Sequence, residues 1–317
     1  MGRATEHLAE PMGEGIGGLL NATFGNAAEL IIALAALRVG LYDVVKASII
    51  GSIVGNILLV LGAAMLAGGL RHREQRFNAT GARAQATMLT LAAITLILPA
   101  AFQVALGASA AAGLIPLSVS ISIVLLVVYG LYLTYTLVTH SSLFSGSHAS
   151  EEGEVHAPPW SVRRAALVLG AATVVIAWMS EILVGAIQPT ARSLGLSSGF
   201  VGVFVVAVLG NAAEHATAIT VAMKNRMDLS LSIAIGSSVQ VAIFVAPLLV
   251  LVSLVLGPAP MDLAFPAGLV LVVLLSVLIT GQVANDGRSD WLKGVQLLAV
   301  YVVLGLTYFF VPEVLPR

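Results

Sequence analysis

The stretch "FGNAAELIIALAALR", Phe24 to Arg38, sets a single acid, Glu29, inside an otherwise apolar run. Far down the chain, "LGNAAEHATAITVA", Leu209 to Ala222, repeats the pattern with Glu214 in the same place. Sliding the chain on itself by 185 residues (25 onto 210) lays Gly25, Asn26, Ala27, Ala28 and Glu29 on Gly210, Asn211, Ala212, Ala213 and Glu214. With no gap, Ala33 then meets Ala218, Asp43 meets Asp228, and Gly51, Ser52 and Val54 meet Gly236, Ser237 and Val239. A bias toward Ala, Gly and Val does not generate matched Asn, Glu, Asp and Gly-Ser in one register. The match is an internal repeat.

The rest of the chain is built for lipid. It is 58% hydrophobic and 10% charged with a mean hydropathy of +1.00, where a soluble domain carries roughly 25% charged residues. The formal net charge of −1 gives no reason to expect a nucleic-acid or other anionic partner. No cysteine is present, which excludes disulfides, thiol catalysis and cysteine metal sites and leaves the redox compartment open. The opening "MGRATEHLAEPMGEG" has no apolar core of the kind a cleavable signal peptide needs.

A spanning helix needs roughly 20 mostly apolar residues. Nine segments qualify, at about 13–38, 43–69, 80–106, 116–139, 161–188, 198–224, 228–256, 261–283 and 290–311. Pro99 and the glycines do not veto these helices, because neighbouring helices satisfy the freed backbone groups. No alternating pattern suggests a β-barrel, so the expected fold is an all-α polytopic membrane protein. Arg3, Arg71, Arg73, Arg76, Arg83, Arg163, Arg164, Lys224, Arg226, Arg288 and Lys293 fall on the N-terminal side; Arg38, Lys46, Arg192 and Arg317 fall opposite. That asymmetry predicts a cytoplasmic N-terminus and, with nine spans, a C-terminus on the other side.

The long polar loop "SSLFSGSHASEEGEVHAPPW" reads as a flexible cytoplasmic linker over 141–160. It divides a first half, 1–140 with four spans, from a second half, 161–317 with five. The helix of the first motif starts on the cytoplasmic side and that of the second starts outside, so the two copies are inverted. Secondary transporters use this arrangement around a substrate site near the bilayer midplane. The 161–188 helix has no counterpart at the offset, so the expectation is a first repeat whose leading helix is absent.

An ionised carboxylate at mid-span costs several kcal/mol and usually faces an ion or proton path. The alternative is an acid that braces helices or stays protonated and hydrogen-bonded, and recurrence of the acid in both copies weighs against it. Gly25 and Asn26 lie four and three residues before Glu29, as Gly210 and Asn211 lie before Glu214, and so share the acid's face. In the following helices Ser52 and Asn56 are four apart, as are Gly236 and Gln240, with Ser237 beside them. Carboxylate, amide, hydroxyl and carbonyl oxygens are the ligand set of a hard cation such as Ca²⁺. For the glycines and serines alone, helix packing accounts for the pattern as well as ligation does.

Other polar residues are weaker signals. Glu181, in "WMSEILVGAI", carries a proton or braces the bundle. His215 sits about 100° round the helix from Glu214 and is expected to pack or hydrogen-bond rather than share an ion. Asp43 and Asp228 stand at equivalent helix starts, where capping is the expected role. No nucleophile motif, phosphate loop, His-rich metal motif or dinucleotide fingerprint appears, and no enzyme is expected.

The segments "GLLNATFGNAAELI", "ASIIGSIVGNILLVLG", "SEILVGAI" and "GNAAEHATAITVAMKNRMDLSLSIAIGSSVQVAIFVAPLLVL" together resemble the Ca²⁺/H⁺ antiporter (cation/proton exchanger) family of the Ca²⁺/cation antiporter superfamily. The resemblance implies a central cation site at Glu29 and Glu214, lined or supported by Asn26, Asn211, Ser52, Asn56, Ser237 and Gln240. It implies ten or eleven spans, one or two more than the nine expected here, and an acidic stretch between the halves, here reduced to Glu151, Glu152 and Glu154. The expected activity is exchange of Ca²⁺, or another divalent cation, for protons across a cell membrane. The expected partners are Ca²⁺, protons and the lipid bilayer, with no resident cofactor and with a homo-oligomer left open. A Na⁺-coupled exchanger of the same superfamily is disfavoured, because its motifs resemble Thr-Ser-rich sequences where this chain has Asn-Ala-Ala. A truncated, non-transporting membrane scaffold is the alternative from another class.

Overall fold

The computed structural model describes residues 2–9, 23–140 and 160–310. The first part of the expected 13–38 span, the linker residues 141–159 with Glu151, Glu152 and Glu154, and Arg317 lie outside these. The helices are α1 Gly2–Ala9, α2 Ala27–Arg38, α3 Tyr42–His72, α4 Ala79–Leu106, α5 Ala111–Thr134, α6 Val162–Leu194, α7 Val201–Gly210, α8 Ala212–Met223, α9 Met227–Ser253, α10 Ala267–Val283 and α11 Trp291–Phe309. Two short strands, β1 Gln75–Arg76 and β2 Arg288–Ser289, pair antiparallel at one end of the bundle.

Among the described residues five helical stretches are long and apolar enough to cross a membrane, or six if α7 and α8 form one broken span. One of the five, Ala79–Thr139, is 61 residues long and holds two such lengths, because Gly107 turns the chain at φ +52 between α4 and α5. Seven of the nine expected segments overlap these stretches, with α7 and α8 counted as one broken span; 261–283 overlaps the shorter α10, and 13–38 is described from Thr23 onward. The expected 261–283 segment begins too early: residues up to Pro266 form no helix, since Pro266 fixes the entry to α10 and the preceding backbone is bound elsewhere.

That preceding loop is strapped to the start of α3. Lys46, only 8% exposed, donates to Asp262 at 2.8 Å and to the Ala264 carbonyl at 2.8 Å. A buried ammonium requires such partners. The Tyr42 hydroxyl donates to the Ala259 carbonyl and accepts from its N–H, and Ser118 on α5 accepts from Leu263 N–H. One end of the bundle is thereby closed by a single polar framework.

Helices α3 and α9 form the centre, with 83% and 67% of their most apolar stretches buried against 17% for α6 and 11% for α11. Small residues permit that centrality, since in lipid close backbone approach replaces the hydrophobic drive between helices. Gly51 of α3 lies against the α7 backbone, where an added methyl would run into the Val203 carbonyl and sit 2.8 Å from the Ala207 side chain. Farther along α3, a methyl on Gly62 would stand 3.1 Å from the Gly294 carbonyl of α11. Each central helix contains one widened π turn, Gly55–Val60 in α3 and Val241–Val245 in α9. The opening residues form α1, which packs on α6.

Neither expected helix cap forms. Asp43 and Asp228 sit within the first turns of α3 and α9 but make no capping bond there. Asp228 instead accepts from the backbone N–H of Asn78 at 2.6 Å, joining α9 to the start of α4.

Overpacking a close crossing is expected to destabilise by about 1–3 kcal/mol. Gly51→Val should therefore lower the thermal unfolding midpoint in detergent. Gly25→Ala, whose added methyl meets nothing within 4 Å, should leave that midpoint unchanged.

Candidate cation site

Glu29 and Glu214 are not mid-helix residues. The chain turns at Asn26 (φ −100, ψ 19) and again at Asn211 (φ −104, ψ 7), with α7 and α8 bent by 66°. Each glutamate occupies the first turn of the helix that follows the turn. Helix starts present unpaired N–H groups and the positive end of the helix dipole, which favour a carboxylate there. A turn at mid-bundle therefore gives each acid a local reason to be tolerated inside the membrane.

The turns are held by side chains from the other half of the sequence. Asn26 donates to Gln240 and accepts from Ser237 Oγ at 3.2 Å. Asn211 donates to Ser52 Oγ at 3.1 Å and to the Ala207 carbonyl at 3.0 Å. The two cross-connections, Asn26 with Ser237 and Asn211 with Ser52, are images of each other at the 185-residue offset. Ser237 is the junction: its oxygen accepts from Asn56 Nδ2 at 3.2 Å and lies 3.2 Å from Glu214 Oε2. One hydroxyl carries one proton, so Ser237 serves either Asn26 or Glu214 at a given moment.

Two acceptors at this centre are left over. Glu29 Oε1 and Asn211 Oδ1 are buried with no hydrogen-bond partner. Both residues line one narrow cavity, with about 20 Å³ of space for a water-sized sphere, together with Ser52 and Gly210. Buried oxygens without donors are costly, and a cation would satisfy both. Among the described residues, no group of three or more His, Cys, Asp or Glu could hold a metal. The centre offers two carboxylates and otherwise neutral oxygens.

The structure joins Asn26, Asn56, Glu214, Ser237 and Gln240 by hydrogen bonds, pairs Asn211 with Ser52, and places Glu29, Ser52, Gly210 and Asn211 on one cavity. Gly25 is exposed and Gly210 would accept a methyl 3.5 Å from Ile32. Neither has a positive φ, so the turns are set by the asparagines and their partners. Glu181 lies apart, paired with Arg38 at 2.7 Å with both side chains more than half exposed. His215 Nε2 is buried without a hydrogen-bond partner. Ser48, which the sequence reading passed over, lines the same cavity as Glu29; its spacing of four before Ser52 was the available signal.

Residues 1–138 and 164–310 match the model of the sodium/calcium exchanger protein family. The chain belongs to this family. Among its relatives, the Ca²⁺/H⁺ antiporter of Aphanothece halophytica is 47% identical over 99% of this chain and 87% of that protein. The Ca²⁺/H⁺ antiporter ChaA of Bacillus subtilis is 44% identical over 98% and 87%. The solved structure of native YfkE superposes with a TM-score of 0.82 at 41% identity, covering 98% of this chain and 88% of that one. The H⁺/Ca²⁺ exchanger CAX shares the fold, with a TM-score of 0.67 at 18% identity over 97% and 81%.

Ser237→Ala should strip Asn56 and Asn26 of a partner and reduce stability by about 1–3 kcal/mol, the range for a buried polar group left unpaired. Ser237→Thr keeps the hydroxyl and should restore most of the loss. Equal thermal midpoints for wild type and the alanine variant would place the strength of the network elsewhere.

Proposed function

We infer that this chain is a Ca²⁺/H⁺ antiporter that works by alternating access around Glu29 and Glu214. The observation that carries the reading is the pair of carboxylates at two mid-bundle turns, with Glu29 and Asn211 turning buried, unpartnered oxygens onto one cavity. Two such carboxylates are neutralised either by one divalent cation or by two protons. A centre holding neither would carry unpaired charge through a low-dielectric region, so only loaded states cross readily and the two fluxes are coupled.

Asn26, Asn211, Ser52, Asn56, Ser237 and Gln240 orient the acids and supply neutral oxygens, with Gly25 and Gly210 at the turns. The halves 1–140 and 161–317 act as inverted repeats joined by a cytoplasmic linker, with nine spans and the N-terminus in the cytoplasm of a cell membrane. Recurrence of the Asn turns, and of the π turns to within one residue, at the 185-residue offset supports that reading. The Arg38–Tyr42 end is then the non-cytoplasmic one. The Asn-Ala-Ala sequence before each acid disfavours Na⁺ coupling, as does the similarity to the Ca²⁺/H⁺ antiporters of Aphanothece halophytica and Bacillus subtilis.

Glu29→Gln and Glu214→Gln should each abolish Ca²⁺-driven proton flux in proteoliposomes while leaving the protein folded. Glutamine keeps the shape but removes the charge and the titrating group, and a neutral amide is less costly than a carboxylate in an apolar interior.

Competition between one Ca²⁺ and two protons also fixes a pH dependence. The logarithm of Ca²⁺ affinity should rise with pH at a limiting slope near two, since each displaced proton contributes about one by linkage. The slope should fall to zero once both acids are ionised. Calorimetry in buffers of different ionisation heat measures slope and proton release together, and an affinity flat across mildly acidic to mildly alkaline pH would remove these glutamates from the shared site.

A further inference from the structure

The cavity beside Glu29 is one-sided. Its wall runs from Glu29, Ser52 and Asn211 toward the end of the bundle where α2 finishes and α3 begins, and Glu214 is not part of it. Apolar residues such as Ile32, Val206 and Val245 make up most of the wall on that side. Beyond the central network the one further polar side chain in it is Ser48.

Ser48, Ser52 and Asn56 are spaced by four and form a polar stripe along α3. Ser48 stands about 6 Å from Ser52 along the helix axis, at 1.5 Å per residue. Its hydroxyl donates to the Val45 carbonyl at 2.9 Å. That bond uses its only proton and leaves the oxygen lone pairs free. The wall therefore presents an oxygen acceptor one turn outside the centre, on a route otherwise lined with hydrocarbon.

The other half has no equivalent. At the 185-residue offset Ser48 corresponds to Ile233 of α9, although Ser52 corresponds to Ser237. The two approaches to the centre differ in chemistry at the position just outside it.

We propose that Ser48 is a cation ligand on the approach from the Arg38–Tyr42 end: a hydroxyl that replaces a hydration water as a divalent cation passes between that face and Glu29. The role rests on the antiport reading above. A hard divalent cation sheds water only when oxygen ligands take its place, and along this wall Ser48 is where the first exchange occurs. At the matching position in the other half Ile233 supplies no such ligand, so the two faces bind the ion with different ease.

The test is Ca²⁺ exchange in vesicles of both orientations, for wild type, Ser48→Ala and Ser48→Thr. Ser48→Ala should raise the KM for Ca²⁺ offered at the Arg38–Tyr42 face about fivefold, as for the loss of one hydroxyl interaction. The KM at the opposite face should stay within about twofold of wild type, and threonine should restore the first value. An unchanged KM at both faces, or an equal rise at both, would overturn the assignment, the latter because a packing defect acts on both approaches alike. If wild type itself shows no proton-coupled Ca²⁺ flux, the antiport reading fails and this one with it; if wild type exchanges and Ser48→Ala matches it, only the Ser48 role fails.

Discussion

A helix interrupted in the middle of a membrane exposes backbone groups that lipid cannot satisfy. This chain turns twice inside the bundle, at Asn26 and Asn211, and most of the central architecture answers the same requirement. The asparagines hold the turns only because α3 and α9 bring Ser52, Ser237 and Gln240 to them. Those helices reach the centre only because Gly51 lets the α7 backbone approach and Gly62 admits α11. The interruption, the crossing helices and the small residues form one dependent chain, and removing any member exposes polar groups to hydrocarbon.

The same interruption makes the glutamates useful. In an unbroken helix an acid faces whatever its 100° position dictates, with every nearby N–H already bonded. At a turn it gains free N–H groups behind it and a gap in front. The arrangement tolerates charge without neutralising it, which is what the proposed exchange of a cation for protons requires. Ser237, with one proton to share between Asn26 and Glu214, lets the network change partners while no heavy atom moves far.

Much of this was legible in the residues. Glu29 and Glu214 stood out because an acid in an apolar run is costly and had a twin, and Asn26, Ser52, Asn211 and Ser237 followed from spacing and register. The turns were harder to read. Gly25–Asn26 is compatible with a continuous helix, and what bends it are partners more than 200 residues away in sequence. Glu181 sits in an apolar context and reads as buried, but its pairing with Arg38 depends on how α6 leans on α2. Asp228 has the position of a helix cap and spends its oxygen on a neighbouring element. Ser48 is a small residue among small residues, and only the cavity wall separates it from its neighbours.

The π turn in α3 has a consequence for how one helix answers two sets of demands. A widened turn holds one extra residue, so everything after it is rotated by roughly 100° relative to an uninterrupted α-helix. The polar stripe of Ser48, Ser52 and Asn56 precedes or enters that turn; the glycines that receive α11 follow it. The phase of the polar face and the phase of the packing face are thus set independently. The extra residue works as a clutch between two keyed surfaces, and the distance between them along the chain is free to drift only in steps that restore both alignments.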